Sequence, residues 1–228
     1  MPTIQDKEFG IVTVRRTARS SSMKATVAPN GSLRVSVPSY APIFMVKRMI
    51  ASSRSELRRL LETRPTLELK DGMSIGKSHT LVVRSGASTI VRKQGLQLIV
   101  TLAPDDGLNS EALVSSARTQ VLAILRKEAK AHLPKRLRYL ADTFGFEYSS
   151  VRFTHASSRW GSCNNKQAIS LNIALMGLPF ELIDYVLLHE LAHTKQLNHS
   201  PAFWAEVART DPGYVLHRKQ LKLFNPHV

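Results

Sequence analysis

A chain of 228 residues that is 43% hydrophobic, with 11 Gly and 11 Pro, has enough apolar material for a buried core, which excludes a disordered or collagen-like chain and leaves one large domain or two small ones. Its 32 Lys+Arg against 17 Asp+Glu give a formal charge of +15, which admits either a polyanionic partner such as nucleic acid or a solvated basic surface, and decides nothing about fold or chemistry. No apolar run approaches the roughly 20 residues of a membrane-spanning helix, the start MPTIQDKEFG lacks the apolar stretch of a secretion signal, and the lone Cys163 forms no internal disulfide, so a cytoplasmic protein with no membrane partner is expected.

In chain order, Val12 and Val14, then Leu33, Val35 and Val37, alternate with polar residues and predict short strands, with a Ser-rich link at Ser20 to Ser22 and a hairpin turn at Pro29-Asn30-Gly31-Ser32. From Pro42 the apolar spacing changes to three and four and predicts one helix of about twenty residues ending before Pro65. Asp71-Gly72 opens a second β region, with strands over Leu81 to Arg84, Thr89 to Arg92 and Leu96 to Leu102. Past Pro104, Leu113, Ala117, Val121, Leu125 and Ala129 keep one helix face apolar, and Pro134 is expected to break that helix. Arg126, Lys127, Lys130, Lys135, Arg136 and Arg138 form the densest basic cluster, expected to be the wet face of the helix. No internal repeat and no low-complexity segment is visible. A boundary is expected near residues 103 to 110, giving an α+β chain with a β-rich region over 1–104 and a mainly helical one over 105–228.

The charge lies mostly in the first part: residues 1–150 carry 24 basic and 12 acidic side chains, and residues 151–228 carry 8 and 5. The chemistry lies in the second. His189, Glu190 and His193 form an HExxH motif within Tyr185, Val186, Leu187, Leu188, Leu191 and Ala192, a setting that predicts a largely buried helix. Four residues advance a helix by about 400°, so the two imidazoles point the same way, one turn apart, and can meet one tetrahedral metal. Glu190 beside the first ligand can reach a metal-bound water instead of the metal. His199 is the candidate third ligand; Asn198 tolerates left-handed backbone and Pro201 stops the helix, so the chain can turn back to bring it in. Three neutral His leave a fourth position on Zn2+ for water with a pKa near about 7, and Glu190 as general base suits this arrangement to amide hydrolysis of a protein or peptide. The same ligands also accept cobalt, nickel or manganese.

Arg159-Trp160-Gly161-Ser162-Cys163, Ile169-Ser170-Leu171-Asn172, Ile183-Asp184-Tyr185, His189 to His193 and Asn198-His199-Ser200-Pro201-Ala202-Phe203-Trp204 follow one another over about residues 150 to 210. That series resembles the YgjP-like metallopeptidase family, related to SprT-type zincins, and the N-terminal strands resemble the family's β-rich first half. The resemblance implies a zincin-type C-terminal domain with His189, His193 and His199 on zinc and Glu190 catalytic. It leaves the substrate open, because nucleotide hydrolysis as well as peptidase activity is attributed to the family. The six-residue step to His199 is also the metzincin spacing, but Gln196 occupies that family's glycine position and no Met-turn follows.

Several residues carry paired readings. Arg159 can stabilise an oxyanion or bind an anionic group, or form a salt bridge to Asp184. Tyr185, Tyr214 and His217 can hydrogen-bond a transition state or simply pack; Trp160 and Trp204 read as core or pocket wall, and Gly161 as a tight strand or bulge. Cys163 can cap an open zinc position as thiolate or pack as a small hydrophobe. His155 is a candidate contact to a ligand, and His79, His132 and His227 have no motif around them. The leading function is a zinc-dependent metallopeptidase. One alternative is a nucleoside triphosphate hydrolase with Arg159 on the phosphates; another is a protease recruited to DNA-bound proteins by the basic half. Against the last, there is no helix-turn-helix signature, zinc ribbon or RNA-binding aromatic motif. The oligomeric state is left open.

Overall fold

Val12, Val14, Leu33, Val35 and Val37 are all buried, so the two-residue period lays one face of a small sheet on a core. A computed structural model describes residues 2–18, 21–28, 32–62 and 67–226. The chain divides into two compact units, Met1–Thr66 and Leu67–Val228.

In the first unit, β1 (Thr3–Asp6), β2 (Gly10–Thr17), β3 (Lys24–Val27) and β4 (Leu33–Pro38) form a sheet of order β1-β2-β4-β3, in which β2 and β4 run parallel and the outer pairs antiparallel. The expected turn at Pro29 to Gly31 lies outside the described residues. The single helix expected after Pro42 is two, α1 (Ile43–Ser52) and α2 (Arg54–Glu62). The break falls at Ser53, where the Ser52 hydroxyl donates to the Met49 carbonyl, a serine competing with the helix backbone. Val46, Ile50 and Leu57 close the core against the strands. Arg54 pairs with Asp6 at 3.1 Å and Glu8 at 2.7 Å, fastening α2 to the β1–β2 turn.

In the second unit, β5 (Ser74–Ile75), β6 (His79–Ser85), β7 (Ile90–Gln94) and β8 (Gln97–Leu102) form a sheet of order β5-β6-β8-β7. Its parallel central pair and antiparallel outer pairs repeat the plan of the first sheet, an internal repetition that the sequence reading did not detect. Strand topology survives changes of side chain as long as the two-residue period is kept. The boundary expected at residues 103 to 110 falls inside this unit, because Leu81, Leu98 and Val100 share one core with Val121, Leu171 and Leu187.

Helix α3 (Glu111–Phe144) runs 34 residues straight through Pro134, where a break was expected. An interior proline costs about 3 kcal/mol. Leu133, Leu137 and Leu140 around it are buried, at about 1.5–3 kcal/mol each, and Lys130, whose carbonyl Pro134 cannot bond, is exposed to water. The six basic residues from Arg126 to Arg138 are all exposed, the wet face of this helix. Gly145, at φ 68, ends it in the left-handed conformation that suits glycine. Then β9 (Ser150–Thr154), β10 (Gly161–Cys163) and β11 (Ala168–Asn172) form a sheet of order β10-β11-β9, which leaves β10 at an edge. A 3₁₀ turn (Ile173–Gly177) leads into α4 (Phe180–Ala192), α5 (Pro201–Thr210) and α6 (Tyr214–Leu221). Helix α4 packs on α3, β10, α5 and α6. Among the described residues no helix is long and apolar enough to cross a membrane.

Candidate functional site

Leu182, Ile183, Val186, Leu187, Leu188 and Leu191 bury α4 on several sides, so two of the polar residues it carries, His189 and Glu190, are drawn inward with it. The helix ends at Ala192 with His193 as its cap. The chain then returns without a left-handed Asn198: among the described residues Gln167 is the only non-glycine with positive φ. Pro201, expected to halt a helix, instead begins α5, capped by Ser200 Oγ accepting from the Phe203 amide.

This turn brings the three histidines together. Ring centroids lie 5.0 Å apart for His189 and His193, 5.1 Å for His189 and His199, and 4.8 Å for His193 and His199. Each offers a nitrogen within 4.8 Å of the others, and His189 Nε2 and His199 Nε2 stand 3.2 Å apart. Two nitrogens sharing a tetrahedral zinc at about 2.0–2.1 Å would be about 3.3 Å apart. His193 Nδ1 pairs with the Gln196 carbonyl at 3.0 Å, which assigns the proton to Nδ1 and leaves Nε2 with its lone pair. His189 Nδ1 and Glu190 Oε2 are buried with no hydrogen-bond partner. Native interiors leave few such atoms, and a bare carboxylate oxygen beside three converging imidazoles fits a site for a cation and a water.

Burial, with His193 and His199 adding to it, pushes the His189 pKa down to about 3, and burial lowers that of His193, so both offer lone pairs near neutrality. Burial pushes Glu190 up to about 8 against the pull of Arg159, and pushes the Tyr185 phenol up to about 12. A cavity of about 200 Å³ is lined by Trp160, Gly161, Tyr185, His189 and Glu190 among others.

Arg159 is exposed and acts on Glu190 through its charge. The alternative salt bridge to Asp184 is not formed, since Arg136 holds that carboxylate with two bonds of 2.8 and 2.6 Å. Tyr185 lies 6.0 Å from His189 and 6.3 Å from His217, ring to ring, and His217 is held by Asp211 at 2.8 Å. Cys163 stays outside the histidine cluster; burial pushes its thiol up to about 11, so no thiolate stands ready to cap the site. His79 pairs with buried Glu128 at 3.0 Å, and His155 is outside the cluster. His227 lies outside the described residues.

Two contributors, Phe203 and Asn172, escaped sequence reasoning, and a third, Gly161, was read there without its contact to Glu190. Phe203, wholly buried, touches all three imidazoles, with centroids 4.9, 4.4 and 4.8 Å from His189, His193 and His199. Gly161 takes the tight-strand alternative and not the bulge: it pairs regularly with Leu171, and a Cβ there would stand 2.5 Å from Glu190 Oε1. Asn172 donates through Nδ2 to the carbonyls of Ala156 and Arg159, at 2.6 and 2.9 Å, tying down the segment that carries Arg159 and Trp160. The signal for Phe203 and Asn172 was their place within the motif series.

The model of one protein family, described as YgjP-like, metallopeptidase domain, matches residues 21–224. No curated protein matches the sequence. A solved structure, the metallopeptidase zymogen of Pyrococcus abyssi abylysin, is 28% identical, covering 40% of this chain and 91% of its own, with a TM-score of 0.37.

Proposed function

The chain belongs to the YgjP-like metallopeptidase family, and from that premise we propose that it is a zinc peptidase in which His189, His193 and His199 hold the ion and Glu190 is the general base. A bound zinc ion would supply Lewis acidity, polarising a substrate carbonyl and making water acidic enough to attack near neutral pH. The Glu190 carboxyl, raised to about 8 without a cation on the three histidines, is drawn back to its ionised form beside one, and in that form it takes the proton at its unpaired Oε2 and passes it to the leaving amine. The Arg159 guanidinium and the Tyr185 hydroxyl are the donors for the developing oxyanion.

The observation that carries the peptide reading is the position of β10. This strand is at the edge of its sheet, and its Gly161 lines the same cavity as His189 and Glu190. An extended peptide can pair its backbone with such an edge and so present a carbonyl to the histidines.

The test uses protein purified without a histidine tag, incubated with zinc and either an unfolded protein or nucleoside triphosphates. Glu190→Gln is expected to abolish peptide cleavage while keeping bound metal, and His199→Ala to lower the metal content. Cleavage that survives Glu190→Gln removes Glu190 as the base, and triphosphate turnover above peptide turnover transfers the site to nucleotides.

A further inference from the structure

A cavity of about 580 Å³ lies away from the three clustered histidines. It is a groove between α3 and the start of α4. Its floor is the buried side chains of Leu133, Met176 and Ile183, and its walls are Tyr139 and Phe180, which remain 57% and 65% exposed. Two bulky aromatic side chains standing open beside an apolar floor are characteristic of a binding surface.

Basic groups outnumber acidic ones around the groove, where Asp184 is on the lining and Glu181 follows Phe180. Lys135 and His132 line it, and among the described residues no acid pairs with Lys135. The Lys77 ammonium lies 4.3 Å over the Phe180 ring. Asp184, the one acid lining the groove, is neutralised by Arg136, whose guanidinium also covers Tyr139 at 4.9 Å. Helix α4 begins here without a side-chain cap, and the positive end of its dipole is met by Glu181 in its first turn. Arg126, Lys127 and Lys130 extend the basic face along α3.

We propose that this groove is a docking site for an acidic peptide segment that places leucine or phenylalanine side chains between Tyr139 and Phe180 and its carboxylates on the Lys135 side. The proposal rests on the peptidase reading for its purpose, recruiting acidic unfolded segments as substrates, but not for the binding itself. Phe180 lies about 14 Å along the α4 axis from His189, so a segment held here leaves the catalytic cavity free for another part of the same chain. The concave shape favours inserted side chains over a membrane surface, and a formal charge of +15 opposes a second copy of this chain.

The probe is a fluorescein-labelled dodecapeptide with leucines and a phenylalanine flanked by glutamates, together with a counterpart in which lysines replace the glutamates. Binding to the full chain carrying Glu190→Gln is read by anisotropy, which needs no turnover. The acidic probe is expected to bind, and Phe180→Ser and Lys135→Glu, both at exposed positions, are expected each to weaken it by roughly tenfold or more. The lysine probe is expected not to bind. Equal binding by the parent and both variants, or by both probes, overturns the proposal. So does a dimer that Phe180→Ser dissociates, or capture of phosphatidylglycerol vesicles without binding of the acidic probe. Groove-dependent binding without any peptide cleavage by the unsubstituted chain would defeat the peptidase reading alone. Cleavage of acidic proteins that is indifferent to Phe180→Ser and Lys135→Glu would defeat the docking site alone.

Discussion

Gly161 and Glu190 occupy the same few cubic ångströms: a Cβ on Gly161 would meet Glu190 Oε1 at 2.5 Å, Cγ at 2.7 Å and Cδ at 2.8 Å. The carboxylate proposed as general base therefore lies directly on the backbone of the edge strand proposed to hold the substrate. Gly161→Ala must push Glu190 away, and misplacing a general base by about an ångström costs on the order of 10²-fold in rate. Peptidase kcat is expected to fall by about that factor while metal content per chain stays the same. Unchanged kcat would mean that Glu190 does not act from its present position.

Asn172, 1% exposed, holds the carbonyls of Ala156 and Arg159 through its amide and accepts from the Ala174 amide. Asn172→Asp keeps the shape but sets oxygens against those two carbonyls. The expected loss is about 1–3 kcal/mol or more of unfolding free energy, measured in urea. Activity should fall further than the stability change explains, because the Arg159 segment is released. A loss below about 0.5 kcal/mol with normal activity would show that the amide is not needed.

Phe203 is a packing residue that supports all three imidazoles. Phe203→Ala is expected to cost about 3–5 kcal/mol of stability. Phe203→Leu should retain the fold and weaken metal binding by roughly tenfold, read by competition with a chromogenic chelator. Parent-like metal affinity in Phe203→Leu would remove the ring from the site's support.

Glu206 on α5 is held at about 2 by Arg209 first and by Lys195 with it, and Lys195 belongs to the loop between His193 and His199. Its folded pKa lies below its ordinary value of 4.5, so the stabilisation is fully present above about pH 4.5 and is lost as pH falls through about 2. Glu206→Gln should therefore unfold more easily than the parent at pH 7, with the gap closing between pH 4.5 and 2. A gap that stays constant over that range would show that the ion pairs carry none of the difference.

The metal-binding candidates His189, His193 and His199, with Glu190 beside them, were legible because they lie within one helix and the turn after it, where short-range spacing governs which side chains can meet. Alternating Val12 and Val14, and Leu33, Val35 and Val37, marked β2 and β4 for the same local reason. Pro134 misled because intrinsic propensity is a per-residue cost, whereas the burial of Leu133, Leu137 and Leu140 that overrides it comes from partners far along the chain. The repetition of one sheet plan was invisible for a related reason: topology is carried by pairing, and pairing leaves little trace in residue identity.

By itself, then, the sequence determined the α+β character and the HExxH helix from periodicity and short-range spacing, offered His199 as the candidate third ligand, and indicated the family through the resemblance of its motif series. Only the tertiary structure decided that the second sheet belongs to the catalytic unit, that Arg136 and not Arg159 holds Asp184, that Gly161 makes room for Glu190, and that an apolar groove with a basic rim opens at the start of α4. Each of those depends on side chains brought together from distant parts of the chain, and such contacts are selected by the packing of the whole core, where no local pattern records them.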